Sequence, residues 1–96
     1  MVNPLAGEVT VTVDGVPHRC KLTLGALAEM EATMGAESLV DLVARFETGK
    51  FSSRDVMALV VAGLRGGGWE GSAVDLLRAD IGGGAVGAAQ AAATLL

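Results

Sequence analysis

Residues 51–68, F-S-S-R-D-V-M-A-L-V-V-A-G-L-R-G-G-G, constrain the fold more than any other stretch. Ser52 stands where a hydroxyl caps the free N–H groups of a starting helix, and Asp55, three residues on, lies near the positive end of its dipole. Between Val56 and Leu64 the chain uses Val, Met, Ala, Leu and a single Gly. A helix that is apolar on every side is buried, so the remaining elements are expected to wrap around this one. Arg65 suits the negative end of the dipole, and Gly66, Gly67 and Gly68 stop the helix.

The N-terminal part supplies a ribbon. Val9, Val11 and Val13 alternate with Thr10 and Thr12, the period of a strand with one apolar face. Asp14-Gly15 is a two-residue turn of the kind that needs positive φ at both positions. Such a loop sets Val13 opposite Val16, Val11 opposite His18 and Val9 opposite Cys20 on one face. On the other face Glu8 then meets Lys21 and Thr10 meets Arg19. Pro17 falls opposite Thr12, where its missing N–H points outward and discourages a further strand on that side. A hairpin at 8–22 is marginal alone, so its valine face must rest on helices.

Thr23 caps the next helix, over 24–34, with Leu27, Met30 and Met34 inward and Glu29 and Glu31 outward. Ser38 with Asp41 opens a helix over 39–48, where Leu39, Leu42, Val43 and Phe46 follow at helical spacing. Ser52 opens the central helix, over 53–65. Trp69 follows in a loop, large enough to plug one end of the core. Ser72 with Asp75 opens a helix over 73–81, with Val74, Leu77 and Ile81 inward. Gly82, Gly83 and Gly84 form a hinge or breaker before an uncharged, alanine-rich helix over 85–96, which either packs on the domain or waits for a partner. Its stripe Val86, Ala89, Ala93 and Leu96 is the candidate partner-binding surface. The expected fold class is α+β: one domain, 1–96, with a two-stranded antiparallel β-hairpin on a bundle of four to five short helices.

The chain has 96 residues, a size at which association helps stability, so a homo-oligomer is possible. Seven Lys and Arg against eleven Asp and Glu give a net charge of −4, without a basic cluster, which argues against a nucleic-acid partner. One cysteine forms no internal disulfide, which fits a reducing cytoplasm. The N-terminus lacks the basic start and apolar run of a secretory signal. The longest uncharged run, 81–96, has sixteen residues rich in Gly and Ala, short of the roughly twenty apolar residues a membrane span needs. A soluble, cytoplasmic chain is expected.

Catalytic chemistry is sparse. His18 reads as a sheet residue, since a metal or acid–base role would require further ligands or a partner base. Cys20, on the same face, could pair with it, but a nucleophile would also want a pocket and an oxyanion donor. The glycine triplets lack the Gly-Lys-Ser/Thr of a phosphate loop. Glu29, Glu31, Glu37, Asp41 and Glu47 fall on outer faces or at caps, a solvated surface or an electrostatic docking face. No enzyme and no cofactor or metal is expected.

Taken together, N-P-L-A-G-E-V at 3–9, the D-G hairpin, L-T-L-G-A-L-A-E-M-E at 22–31, S-x-R-D at 52–55 and A-G-L-R-G-G-G at 62–68 resemble a small gene transfer agent family of alphaproteobacteria. Its particles are prophage-like and carry host DNA. Members are similar to phage tail assembly chaperones, although the family has also carried a tail-tube label. The resemblance implies binding of the tail tape-measure protein, whose hydrophobic helices such chaperones keep soluble, and recruitment of tail-tube subunits. It implies no catalytic residues. The alternative is a structural tail component, a tube or minor tail protein.

Overall fold

The computed structural model describes residues 8–34 and 39–96. The fold is α+β: strands β1 (Glu8–Val13) and β2 (Val16–Lys21) form an antiparallel hairpin, followed by helices α1 (Leu24–Met34), α2 (Leu39–Thr48), α3 (Ser53–Gly66), α4 (Ala73–Arg78) and α5 (Gly84–Leu95). Asp14 and Gly15 hold φ of 50° and 81°, the left-handed pair that the tight turn demands. All six expected strand pairs form, from Glu8 opposite Lys21 to Val13 opposite Val16. Val11, Val13 and Cys20 are buried on the inner face, and Lys21 Nζ lies 3.7 Å from Glu8 Oε1 on the other.

The helix starts follow the capping residues. The Ala26 N–H donates to Thr23 Oγ1 at 3.1 Å. Ser52 and Asp55 exchange bonds reciprocally, Asp55 N–H to Ser52 Oγ at 3.2 Å and Ser52 N–H to Asp55 Oδ2 at 2.9 Å. The Ser72 N–H donates to Asp75 Oδ2 at 2.8 Å. The cap expected of Ser38 lies outside the described residues, as do the 3–7 segment and the side chains of Met34 and Leu39. At its far end α3 closes with two bonds that satisfy orphan carbonyls, Gly68 N–H to Arg65 O at 3.1 Å and Trp69 N–H to Leu64 O at 2.9 Å. Gly68 takes the left-handed φ of 103° this closure requires. Trp69 is half-buried against the core, as its size suggested.

α3 is the axis of the core. Leu59 and Leu64, with Leu42 from α2, are fully buried, each contributing roughly 1.5–3 kcal/mol by leaving water. Gly63 and Gly66 of this helix, with its C-cap Gly67, make one small-residue face. A Cβ on Gly63 would stand 2.6 Å from Leu95 Cδ1 and 3.2 Å from the Cβ of Cys20. A Cβ on Gly66 or Gly67 would overlap the Lys21 or Arg19 carbonyl oxygen. Those two carbonyls belong to positions of the hairpin whose polar groups point away from β1, so the end of α3 covers the outer edge of β2. A glycine inside a helix costs about 1 kcal/mol against alanine, and here it permits this approach.

Two expectations are corrected. The helix over 73–81 ends at Arg78, because the next residues pair with the outer edge of β1 instead. The Asp14 N–H donates to Asp80 O at 2.8 Å, Gly82 N–H to Thr12 O at 2.9 Å, and Ile81 bridges Val13. A backbone pairing with the sheet outweighs three more residues of helix. The inward face of α4 is consequently Leu76, while Val74 and Leu77 stand 59% and 66% exposed. The second correction concerns Gly82, Gly83 and Gly84. They form an anchored turn, held by the Gly82–Thr12 bond and by Gly83 at φ 82°, rather than a hinge. α5 is docked, with Ala91, Ala92 and Leu95 buried in the core against α3 and β1.

The seam makes Gly67→Ala diagnostic. In an open helix end the change is mild, but here it is expected to destabilise the protein by about 1–3 kcal/mol through backbone shifts, read by urea unfolding. Unchanged stability would mean that α3 does not sit on the edge of β2.

Candidate functional site

α3 is not covered on every side, contrary to the expectation of full burial. Met57, Ala58 and Val61 are half-buried. They follow Arg54 at i+3, i+4 and i+7, with Arg65 at i+11, which is one face of a 3.6-residue period. With Met30 from α1 they floor an open groove of about 760 Å³ between α1, the end of α2 and α3. Its rim carries Arg45, Lys50, Arg54 and Arg65 against Glu29 and Asp55. Four cations against two carboxylates leave this groove at a formal +2 within a chain of net −4.

The rim charges differ in what holds them. Arg45 clamps Asp55 in a two-pronged bond, Nε to Oδ2 at 3.0 Å and Nη2 to Oδ1 at 2.9 Å, tying α2 to the first turn of α3. Beside it Phe46 and Phe51 stack with centroids 4.5 Å apart, a second tie across the same connection. Burial alone would raise the Asp55 pKa, but the Ser52 backbone N–H, the Arg45 guanidinium and the Ser52 side chain bring it below its ordinary 3.8. Arg65 is held by Glu29 Oε1 at 2.8 Å and the Gly71 carbonyl at 3.1 Å. Lys50 and Arg54 are exposed and form no ion pair among the described residues.

On the other flank of α3 a smaller groove, about 350 Å³, runs between α3, α4 and α5 over Val56, Met57, Val60, Leu76 and Ile81. The stripe expected to bind a partner divides here. Ala89 is half-buried and lines this groove, whereas Val86 and Leu96 point outward at 68% and 38% exposure, and Ala93 is also exposed. Sequence reasoning missed the larger groove. Its signal was present in the 11-residue spacing from Arg54 to Arg65, which a helix converts into three turns on one face.

Cys20 and His18 are brought together in a way that favours structure over chemistry. The thiol is fully buried, its pKa is pushed up by burial to about 11, and what it touches of His18 is the main-chain carbonyl, 3.8 Å away. A protonated, inaccessible thiol is a poor nucleophile. Among the described residues no group of three or more His, Cys, Asp or Glu is placed to hold a metal ion, and no helix is long and apolar enough to cross a membrane.

The clamp at the groove's rim has a pH signature. Because the Asp55 pKa is lowered on folding, its contribution is complete at neutral pH and is lost as pH falls below about 4. Asp55→Asn should cost about 1–3 kcal/mol at pH 7, and the gap to the unaltered protein should shrink as the pH drops through that window. A gap that stays constant with pH would show that the carboxylate charge is not what holds α2.

No curated protein and no solved structure matches the chain. A family model described as phage tail tube protein, GTA-gp10, matches residues 6–96. That match spans both strands, all five helices and both grooves, so the protein belongs to this gene transfer agent tail family.

Proposed function

We propose that the chain is a cytoplasmic tail assembly chaperone of a gene transfer agent, a binding module rather than an enzyme, which holds amphipathic helices of the tape-measure protein while the tail is built. The observation that carries this reading is the open apolar stripe of Met57, Ala58 and Val61 on the central helix. A groove along a helix, floored by half-buried apolar side chains, suits a second helix.

A second reading, a permanent tube subunit, is favoured by the family's description as a tail tube protein. Ring-forming subunits of that kind extend sheets from one copy to the next. Here the outer edge of β1 is paired by residues 80–82 and that of β2 is met by Gly66 and Gly67. The sheet among the described residues has two strands. Little edge is left to extend, and this weighs toward the chaperone.

Co-expression with the tape-measure protein of the same particle tests the chaperone, paired with mass spectrometry of purified particles. The expected result is a larger soluble fraction of the tape-measure protein and absence of the chain from mature particles. Recovery of the chain in particles at the copy number of a tube subunit would establish the second reading instead.

A further inference from the structure

The larger groove carries a charge pattern that selects its occupant. We infer that the groove between α1, α2 and α3 takes an amphipathic helix whose apolar stripe is flanked by acidic residues; this deepens the chaperone reading and rests on it. The floor of Met57, Ala58 and Val61 offers the partner apolar contact over about one turn of α3. Arg54 and Arg65 bracket it about 16 Å apart at 1.5 Å per residue, and Lys50 stands on the same rim. Arg45 and Arg65 are already engaged by Asp55 and Glu29, which leaves Lys50 and Arg54 to meet carboxylates from outside. Charges at such a rim set orientation and choice of partner, while the apolar floor supplies most of the affinity.

Among the described residues, the chain's own elements fit the groove poorly. A helix seated there presents large apolar residues at i, i+3 or i+4, and i+7. Of the exposed large apolar residues among those described, α1 offers Leu24 and α2 offers Val40. α4 offers Val74 and Leu77, but it is six residues long with one acid and one cation. α5 carries no charge at all. The neighbouring groove between α3 and α5 has an uncharged lining and so expresses no preference of this kind.

Two designed helical peptides with an identical leucine stripe, one flanked by glutamates and one by lysines, test the assignment by NMR titration of the full chain at low salt. The glutamate peptide should bind roughly tenfold tighter or more, with shifts at Lys50, Arg54, Met57 and Val61. The double variant Lys50→Glu/Arg54→Glu should reverse the preference. Both side chains are exposed, so an unchanged circular dichroism spectrum is expected to show the fold intact. Equal affinity for the two peptides, no binding of either, shifts confined to Val86, Ala93 and Leu96, or self-association abolished by the double variant would each overturn the proposal. The same variant in co-expression separates the two readings. If it keeps the tape-measure protein as soluble as the unaltered chain does, the groove is wrong and the chaperone stands. If the unaltered chain gives no solubility, the chaperone fails while the peptide titration still judges the groove.

Discussion

The close seating of α3 on the hairpin is the constraint on which the other contacts depend. Three glycines at i, i+3 and i+4 on one face let that helix approach β2 and α5 more closely than any side chain would permit. At Gly63 the strand residue Cys20 and the terminal helix residue Leu95 converge on the same backbone. Remove that proximity and the hairpin loses the surface under its valine face, while α5 loses the notch that receives Leu95. The helix gives up propensity at Gly63 and gains a three-way junction.

From this seam the rest of the arrangement follows. Because one face of α3 is committed to β2 and α5, its opposite face is directed toward α1 and α2, which cover it incompletely. The Arg45–Asp55 clamp and the Phe46–Phe51 stack fix α2 at the start of α3. Most of the groove's floor, with Arg54 and Arg65 of its rim, therefore sits on a helix whose position is determined elsewhere. Preformed geometry of this sort lowers the ordering cost of taking a partner.

The hairpin was legible residue by residue, because a two-residue loop fixes register and a period of two then assigns every face. Helix starts were legible wherever Ser-x-x-Asp or Thr23 stood ahead of an apolar run. The end of α4 was not: nothing local in Ala79 to Gly82 announces a bridge to Val13, which is a tertiary event some 68 residues away in sequence. Burial of α3 was overestimated because apolar composition says a helix avoids water without saying whether its neighbours are large enough to cover it. The role of Gly63 was not legible, since the atoms that explain it belong to Cys20 and Leu95. In the expected binding stripe, Val86, Ala93 and Leu96 are outward, while Ala89 turns toward the α3–α5 groove. The cationic rim was hidden by counting charges along the chain, where Arg45, Lys50, Arg54 and Arg65 form no cluster, instead of around the helix.

A tail protein with this architecture keeps its sheet edges occupied within its own fold and leaves a helical groove open, a division suited to holding another chain. That account stands on the three-way junction at α3. Native-state amide exchange followed by NMR reads it most directly. The amides of Val60, Leu64 and Cys20 are predicted to exchange together, at the rate of global unfolding. If the Cys20 amide opened independently of the two α3 amides, or if those two exchanged as fast as α4, hairpin and helix would not share one core and the account would be contradicted.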